Sequence, residues 1–205
     1  MLKAGVLGAG HLGKIHLKLL QQSTKYILVG FFDPNQDAAK VIEQEYGYKS
    51  FPTMEALISA CDMVDVVTPT IYHYQCAEKV ITAGKHLFIE KPITQTVLEA
   101  DSIRDLAKKH GVRGQVGQVE RFNPAFMSVN HMIDKPMFIE AHRLAEFNPR
   151  GTDVSVVLDL MIHDIDAILS VVKSDVKKVH ASGVSVISET PDIANARIEL
   201  SLIHI

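Results

Sequence analysis

The stretch KAGVLGAGHLGKIHLKLL, residues 3–20, decides the fold. KAGVLG reads as a short buried strand, and HLGKIHLKLLQQS as a helix with Leu12, Ile15, Leu19 and Leu20 at helical spacing. Between them Gly8, Ala9, Gly10, His11, Leu12 and Gly13 spell GxGxxG. Taken alone, that pattern marks a plain strand-to-helix turn. Here it follows a strand, opens a helix, and precedes by about twenty residues Asp33, which ends a second apolar run, YILVGFFD. In that setting Gly8 permits the tight turn, Gly10 lets the backbone approach a pyrophosphate, and Gly13 lets helix and sheet pack closely. The helix N-terminus adds free N–H groups and the positive end of its dipole, with His11 and Leu12 alongside. Asp33 is placed to accept hydrogen bonds from adenosine ribose hydroxyls and to repel a 2′-phosphate, which favours NAD over NADP. Its competing role is to cap the helix that begins near Pro34.

Outward from this unit, strand and helix keep alternating. PNQDAAKVIEQEYG reads as a helix stopped at Gly47, TMEALIS as a short helix, MVDVVTPT as a strand and YHYQCAEKVITAG as a helix. KHLFIE is the next strand, TVLEADSIRDLAKKHG a longer helix with cations in its last turn, and RGQVGQVE, 113–120, a further strand. Connections are short and the strands are continuous apolar runs, as in a parallel sheet covered by helices on both faces. The fold class is therefore α/β, a doubly wound parallel sheet over residues 1–120. The texture then changes. RFNPAFMSVNHMID has turn chemistry and a helical stretch, PMFIEAHRLAEF reads as a strand, and DVSVVLDLMIHDIDAILSVV has a strong helical pattern. KKVHASGVSVIS and IANARIELSLIHI read as strands. Residues 121–205 thus form part of an α+β domain with a mainly antiparallel sheet.

The bulk numbers narrow the function. A net charge of −3 gives no electrostatic footprint for nucleic acid or an anionic membrane. Cys61 and Cys76 lie fifteen apart without a CxxC, and none of the ten histidines falls in a zinc spacing, so reduced thiols and no metal are expected. The N-terminus is too short and glycine-broken for a signal peptide, and no run is long enough to span a bilayer, so a cytoplasmic location is expected.

In an open parallel sheet, ligands bind at the carboxyl ends of the strands. That singles out Thr68, Thr70 and His73 after one strand, and Glu90, Lys91 and Pro92 after the next. A lysine where the nicotinamide end of a dinucleotide would lie can hydrogen-bond a substrate hydroxyl and stabilise the alkoxide that forms as a hydride leaves. A cis Lys91–Pro92 bond fits such a corner. Without further context, Glu-Lys-Pro is a solvated loop, and His73 a helix-start residue.

The glycine loop, Asp33, TPTIYH (68–73) and AGKHLFIEKP (83–92) together resemble the Gfo/Idh/MocA family of NAD(P)-dependent oxidoreductases, most of which act on sugars and cyclitols. The resemblance implies that Lys91 is the catalytic lysine. It also implies that DLMIH, with Asp159 and His163 four apart on one helix face, turns toward the nicotinamide. His163 is then the general base, taking the hydroxyl proton near neutral pH, and Asp159 positions substrate or imidazole. Of the crowded acids Asp159, Asp164 and Asp166, some are expected to be structural. VERFNP places Arg121 and Asn123 where the family's chain crosses between domains. AHRLAEFNPRGTDVSVVLDLMIHDID looks like the branch that oxidises the 3-hydroxyl of UDP-N-acetylglucosamine, with Arg143 and Arg150 set to pair with a diphosphate. The resemblance also implies further strands beyond LSLIHI, and with them a homo-oligomeric intact protein. Two rival readings stand: a dinucleotide-binding sensor without turnover, and a dehydrogenase of a free polyol or cyclitol.

Overall fold

A computed structural model describes residues 1–146 and 154–201. The chain divides into two compact units, Met1–Gly117 and Gln118–Ile205.

Strands β1 (Leu2–Leu7), β2 (Tyr26–Phe32), β3 (Met63–Val66), β4 (His86–Ile89) and β5 (Gly114–Val116) build the first unit's sheet. Their order is β2-β1-β3-β4-β5, and every pairing is parallel. Outside β2 lies a vestigial sixth position. Phe31 forms a parallel bridge with Ser50, its N–H donates to the Lys49 carbonyl, and its own carbonyl accepts from Phe51. The order therefore reverses between β1 and β3. That is the switch point where such sheets open a crevice for ligands.

Helices α1 (His11–Gln22), α2 (Gln36–Tyr46), α3 (Met54–Ala60), α4 (His73–Thr82) and α5 (Val97–His110) cover both faces. Strand alternation divides the core. Val6, Phe31 and Val67 pack with Leu17 of α1 and with Ala39 and Ile42 of α2. Leu7, Val64, Val66, Leu87 and Ile89 face the other way, onto Leu57 of α3, Val80 and Ile81 of α4 and Ile103 of α5. The doubly wound sheet is as the apolar runs predicted.

Local signals explain the helix ends. The Asn35 side chain caps α2 by accepting from the Ala38 N–H, and Gly47 closes it in the left-handed region at φ 71°. Thr96 and Glu99 form a capping box on α5, and Gly111 ends it. The cap of α2 is thus Asn35 and not Asp33. Of the apolar residues expected along α1, only Leu20 packs toward the core. Leu12, Ile15 and Leu19 are exposed, while Gly13 and Leu17 are buried. A Cβ on Gly13 would lie 2.0 Å from the Gly8 carbonyl oxygen, so the closest approach of helix to loop is through Gly13. That approach turns the Gly13–Leu17–Leu20 stripe inward and the alternative apolar stripe outward. Strand β5 is shorter than expected, giving way after Gly117 to a 3-10 turn, Val119–Phe122.

The second unit holds α6 (Pro124–Asn130), a π-turn (Val157–Met161), α7 (Ile162–Val171) and the antiparallel pair β6 (Val176–Val184) and β7 (Ile193–Leu200). The strand expected over PMFIEAHRLAEF does not form at its described residues, 136–146. Met137, Phe138 and Leu144 are exposed there, and among the described residues β6 and β7 pair only with each other. An apolar stretch without a ladder partner gives no strand.

Candidate functional site

The glycine loop joins β1 to α1 at the switch point. Gly8 sits at φ 91°, and a Cβ there would come within 2.7 Å of the Val67 carbonyl oxygen, so turn and close packing both demand glycine. Gly10, by contrast, has ordinary extended angles, and a Cβ at that position would meet nothing within 4 Å. Its missing side chain leaves room on the solvent side, where a phosphate needs to reach backbone N–H groups. No side chain caps α1, whose first residues His11 and Leu12 are exposed. The residues fit a dinucleotide's pyrophosphate: an open glycine and an uncapped helix start, placed at the switch point.

Asp33 follows β2 and closes the loop from the side. Its Oδ2 accepts the Ala9 N–H at 2.9 Å and its Oδ1 accepts the Asn35 N–H at 2.9 Å. A carboxylate with two oxygens retains acceptor capacity for ribose hydroxyls. The tie to Ala9 was not foreseen. Asp33 thus shapes the loop.

At the end of β3, the Thr68 carbonyl lies 2.8 Å from Nε2 of His73, and the Pro92 carbonyl 2.8 Å from Nδ1. His73 is 1 % exposed and Thr70 is buried beside it. Expected at the cofactor, His73 has both ring nitrogens on protein carbonyls and clamps the β3 corner to the corner after β4. The Lys91–Pro92 bond is cis. Lys91 is half-buried, and its N–H donates to Oε2 of Glu90 at 3.2 Å.

Glu90, also expected at the cofactor, is buried in a network of its own. By strand alternation Asp65 of β3 and Phe88 and Glu90 of β4 and its end point toward α1. There His16 places Nδ1 2.8 Å from Asp65 Oδ2 and Nε2 3.3 Å from Glu90 Oε1. The imidazole also meets the Phe88 ring at 6.1 Å. Burial alone lowers the His16 pKa, but hydrogen bonds to Asp65 and then Glu90, with their charges, outweigh it and raise it to about 9. Burial pushes the Asp65 carboxyl upward, against the pull of His16. The signal for this cluster was a lone acid inside the apolar run MVDVV: a charge buried in a central strand needs a partner.

In the second unit, Asp159 lies in the π-turn and His163 in the first turn of α7, both half-buried. Such turns recur at functional positions. The neighbouring acids are engaged by arginines. Asp166 receives a bidentate pair from Arg121, with Nε at 2.6 Å, and Asp164 one from Arg143 at 3.0 and 2.8 Å. Glu120 adds a longer contact to Arg143. Asn123 caps α6 through its side-chain oxygen and donates to Glu120. Arg121, Asn123 and Arg143, expected at ligands, thus hold the unit's own elements together. Arg150 lies outside the described residues. Among the described residues there is no cluster that could hold a metal ion and no helix long and apolar enough to cross a membrane. Cys61 and Cys76 are buried free thiols.

Residues 2–118 match the Gfo/Idh/MocA family, described as an oxidoreductase family with an NAD-binding Rossmann fold. Over 201 residues the chain is 35% identical to the UDP-N-acetylglucosamine 3-dehydrogenase of Acidithiobacillus ferrooxidans, covering 98% of this chain and 64% of that protein. It is 29% identical to the scyllo-inositol 2-dehydrogenase (NAD(+)) of Bacillus subtilis, covering 88% and 57%. The solved structure of the Acidithiobacillus enzyme superposes with a TM-score of 0.90, over 98% of this chain and 66% of that one. An NAD-binding protein from Listeria innocua, 24% identical, shares the fold at a TM-score of 0.83, over 97% and 63%. The chain therefore spans less than two thirds of the length of the two curated relatives.

Proposed function

The chain belongs to the Gfo/Idh/MocA family of NAD-binding oxidoreductases, and from that premise we propose that the intact protein is an NAD-dependent dehydrogenase of a sugar hydroxyl, with a nucleotide sugar as substrate. The observation that carries the reading is the glycine loop at the switch point. Gly8 and Gly13 are glycine because protein crowds them, and Gly10 has open space where a pyrophosphate would lie. When bound, NAD supplies the hydride acceptor. Asp33 then accepts from the ribose hydroxyls, and its charge disfavours NADP. Thr68 and Thr70 line the strand end.

Lys91 hydrogen-bonds the substrate hydroxyl and stabilises the developing oxyanion. His163 accepts the hydroxyl proton, and Asp159 orients the reacting group or the imidazole. The nucleotide-sugar assignment is supported by the 35% identity to a UDP-N-acetylglucosamine 3-dehydrogenase. Arg143 and Arg150 are the candidates for a diphosphate, and Arg143 reaches one by exchanging Asp164 for it. We place the enzyme in the cytoplasm, in keeping with its free thiols, and as a homo-oligomer, in keeping with the exposed Val176, Val179, Val184 and Ile193 of β6 and β7.

The test is NADH absorbance on mixing the intact protein with NAD and a panel of nucleotide sugars, free polyols and cyclitols. Turnover of a nucleotide sugar, with Lys91→Met and His163→Asn each lowering kcat by roughly 10²- to 10⁴-fold, is the expected result. Turnover of a cyclitol alone would move the substrate to the second reading, which the likeness to an inositol dehydrogenase favours. NAD binding with no turnover on any panel member would leave a sensor.

A further inference from the structure

His16 lies outside the glycine loop and is not itself among the residues expected at cofactor or substrate. It is nonetheless the centre of a buried charged cluster in the first unit. Asp65 is 4 % exposed and Glu90 7 %, and the imidazole stands between them. The ring's neighbours across the sheet are these two titratable groups, one from β3 and one from the end of β4, together with the uncharged Phe88 of β4. Only the imidazolium, with two N–H donors, satisfies both carboxylates at once.

Glu90 passes this arrangement on. One carboxylate oxygen faces His16, and the other accepts the backbone N–H of Lys91. Gly117 packs against the same carboxylate: a Cβ there would lie 2.7 Å from Oε1 and 3.2 Å from Oε2. The Gly117 N–H donates to the Ile89 carbonyl, one residue before Glu90. The Glu90 side chain is therefore boxed between α1, the Lys91 backbone and the residue that follows β5.

We propose that His16 is a positioning residue: as an imidazolium bridging Asp65 and Glu90, it fixes the Glu90 carboxylate and through it the corner from which Lys91 projects. Without that charge, two buried carboxylates face each other with no cation between them. Their repulsion drives the Glu90 side chain away from Asp65, and that movement releases the Lys91 N–H and the Gly117 contact. The raised His16 pKa agrees with the ring being charged through neutral pH. The catalytic consequence rests on the dehydrogenase reading of Lys91; the structural coupling does not.

The experiment is a pH titration of the full chain by NMR, following the His16 ring and the backbone amides of Lys91 and Gly117. The ring is expected to titrate near pH 9, and both amides to shift with the same midpoint. Asp65→Asn should move all three midpoints down together, and His16→Gln should abolish the amide transition. A merely structural histidine would titrate without moving the Lys91 and Gly117 amides, and that result overturns the proposal, as does a ring midpoint near 6.5. The wild-type titration alone decides this should either variant fail to fold. In the intact enzyme His16→Gln should lower kcat about tenfold with KM for NAD within about twofold, the signature of a displaced catalytic group. Absence of any turnover would remove the dehydrogenase reading and leave the amide titration to judge the network.

Discussion

Two alanine substitutions in the glycine loop separate what the fold needs from what the ligand needs. Gly10→Ala adds a Cβ that meets nothing within 4 Å, at φ −64° and ψ −161°, angles an alanine adopts freely. At the N-cap the change costs a few tenths to about 1 kcal/mol, offset in part by the lower entropy of the unfolded chain, so Tm should move by less than about 2 °C. The new methyl occupies the space a pyrophosphate would use. Losing one charge-assisted hydrogen bond costs about 1.5–3 kcal/mol, or roughly 10- to 100-fold in NAD affinity. Gly13→Ala behaves differently. Its Cβ would lie 2.0 Å from the Gly8 oxygen and 2.9 Å from the Gly8 carbonyl carbon, both backbone atoms. Opening that oxygen contact to about 3 Å displaces helix against loop by about 1 Å in a packed interior. Overpacking of this kind costs about 1–3 kcal/mol, and Tm should drop by about 5 °C, with NAD affinity falling as well. Thermal unfolding without cofactor and NADH fluorescence titration measure the two quantities. A Gly10→Ala protein that binds NAD like wild type would refute the phosphate position. An unchanged Tm for Gly13→Ala would refute the packing argument.

Other outcomes follow from the same geometry. The His16 pKa is about 9 in the folded chain against 6.5 ordinarily, so its contribution to stability is complete below pH 6.5 and is lost as pH rises to about 9. Discounted for the partly hydrated ring, that loss is about 1–2 kcal/mol, seen as a falling urea midpoint between pH 6 and 9.5 that His16→Gln lacks. Asp33→Asn keeps a side-chain acceptor for the Ala9 N–H but removes the charge, so the NAD-to-NADP affinity ratio should fall by about tenfold in competition titrations. Thr96→Ala removes the Thr96 side-chain half of the α5 capping box, and should destabilise the first unit by about 1 kcal/mol in equilibrium unfolding. Phe31→Ala, at a fully buried ring between α1 and α2, should cost about 3–5 kcal/mol by the same measurement.

The first unit was largely legible because most of its strands are apolar runs and two of its longer helices stop at glycines, Gly47 for α2 and Gly111 for α5. The orientation of α1 was not. Two apolar stripes compete along that helix, and the choice between them depends on Gly13 touching the Gly8 carbonyl, a contact with no trace in periodicity. The stretch 136–146 failed for the opposite reason: its apolar residues suit a strand, but a strand is a property of a pair. Asp65 was the missed clue. Read as one polar residue in an apolar strand it means little. Read as a buried charge it demands a cation on the α1 side of the sheet, and His16 is the histidine of α1 that turns inward.

The polar side chains at the carboxyl edge raise a difficulty specific to this kind of fold. Backbone hydrogen bonds carry the ladder one residue past the strand ends: Gly8 N–H to Phe32, Val67 to Leu7, Glu90 to Val66 and Gly117 to Ile89. Beyond that point the corners are held by side chains. Asp33 ties the end of β2 to Ala9, His73 ties Thr68 to Pro92, and His16 ties Glu90 back to Asp65 inside β3. Carboxylates and imidazoles are also the groups that bind ribose, move protons and hold substrates. At this edge, then, the residue types that make a site and those that make its frame are the same, and no one-dimensional pattern separates them. What separates them is burial with both polar ends occupied. By that criterion His73 and Glu90 belong to the frame, while Asp33 ties the loop and keeps acceptor capacity for a further donor. A frame built from adjacent-corner ties also explains why a substitution as remote from the ligand as His16→Gln should act on kcat: each tie sets the position of the next corner, and the last of them is the one from which Lys91 projects.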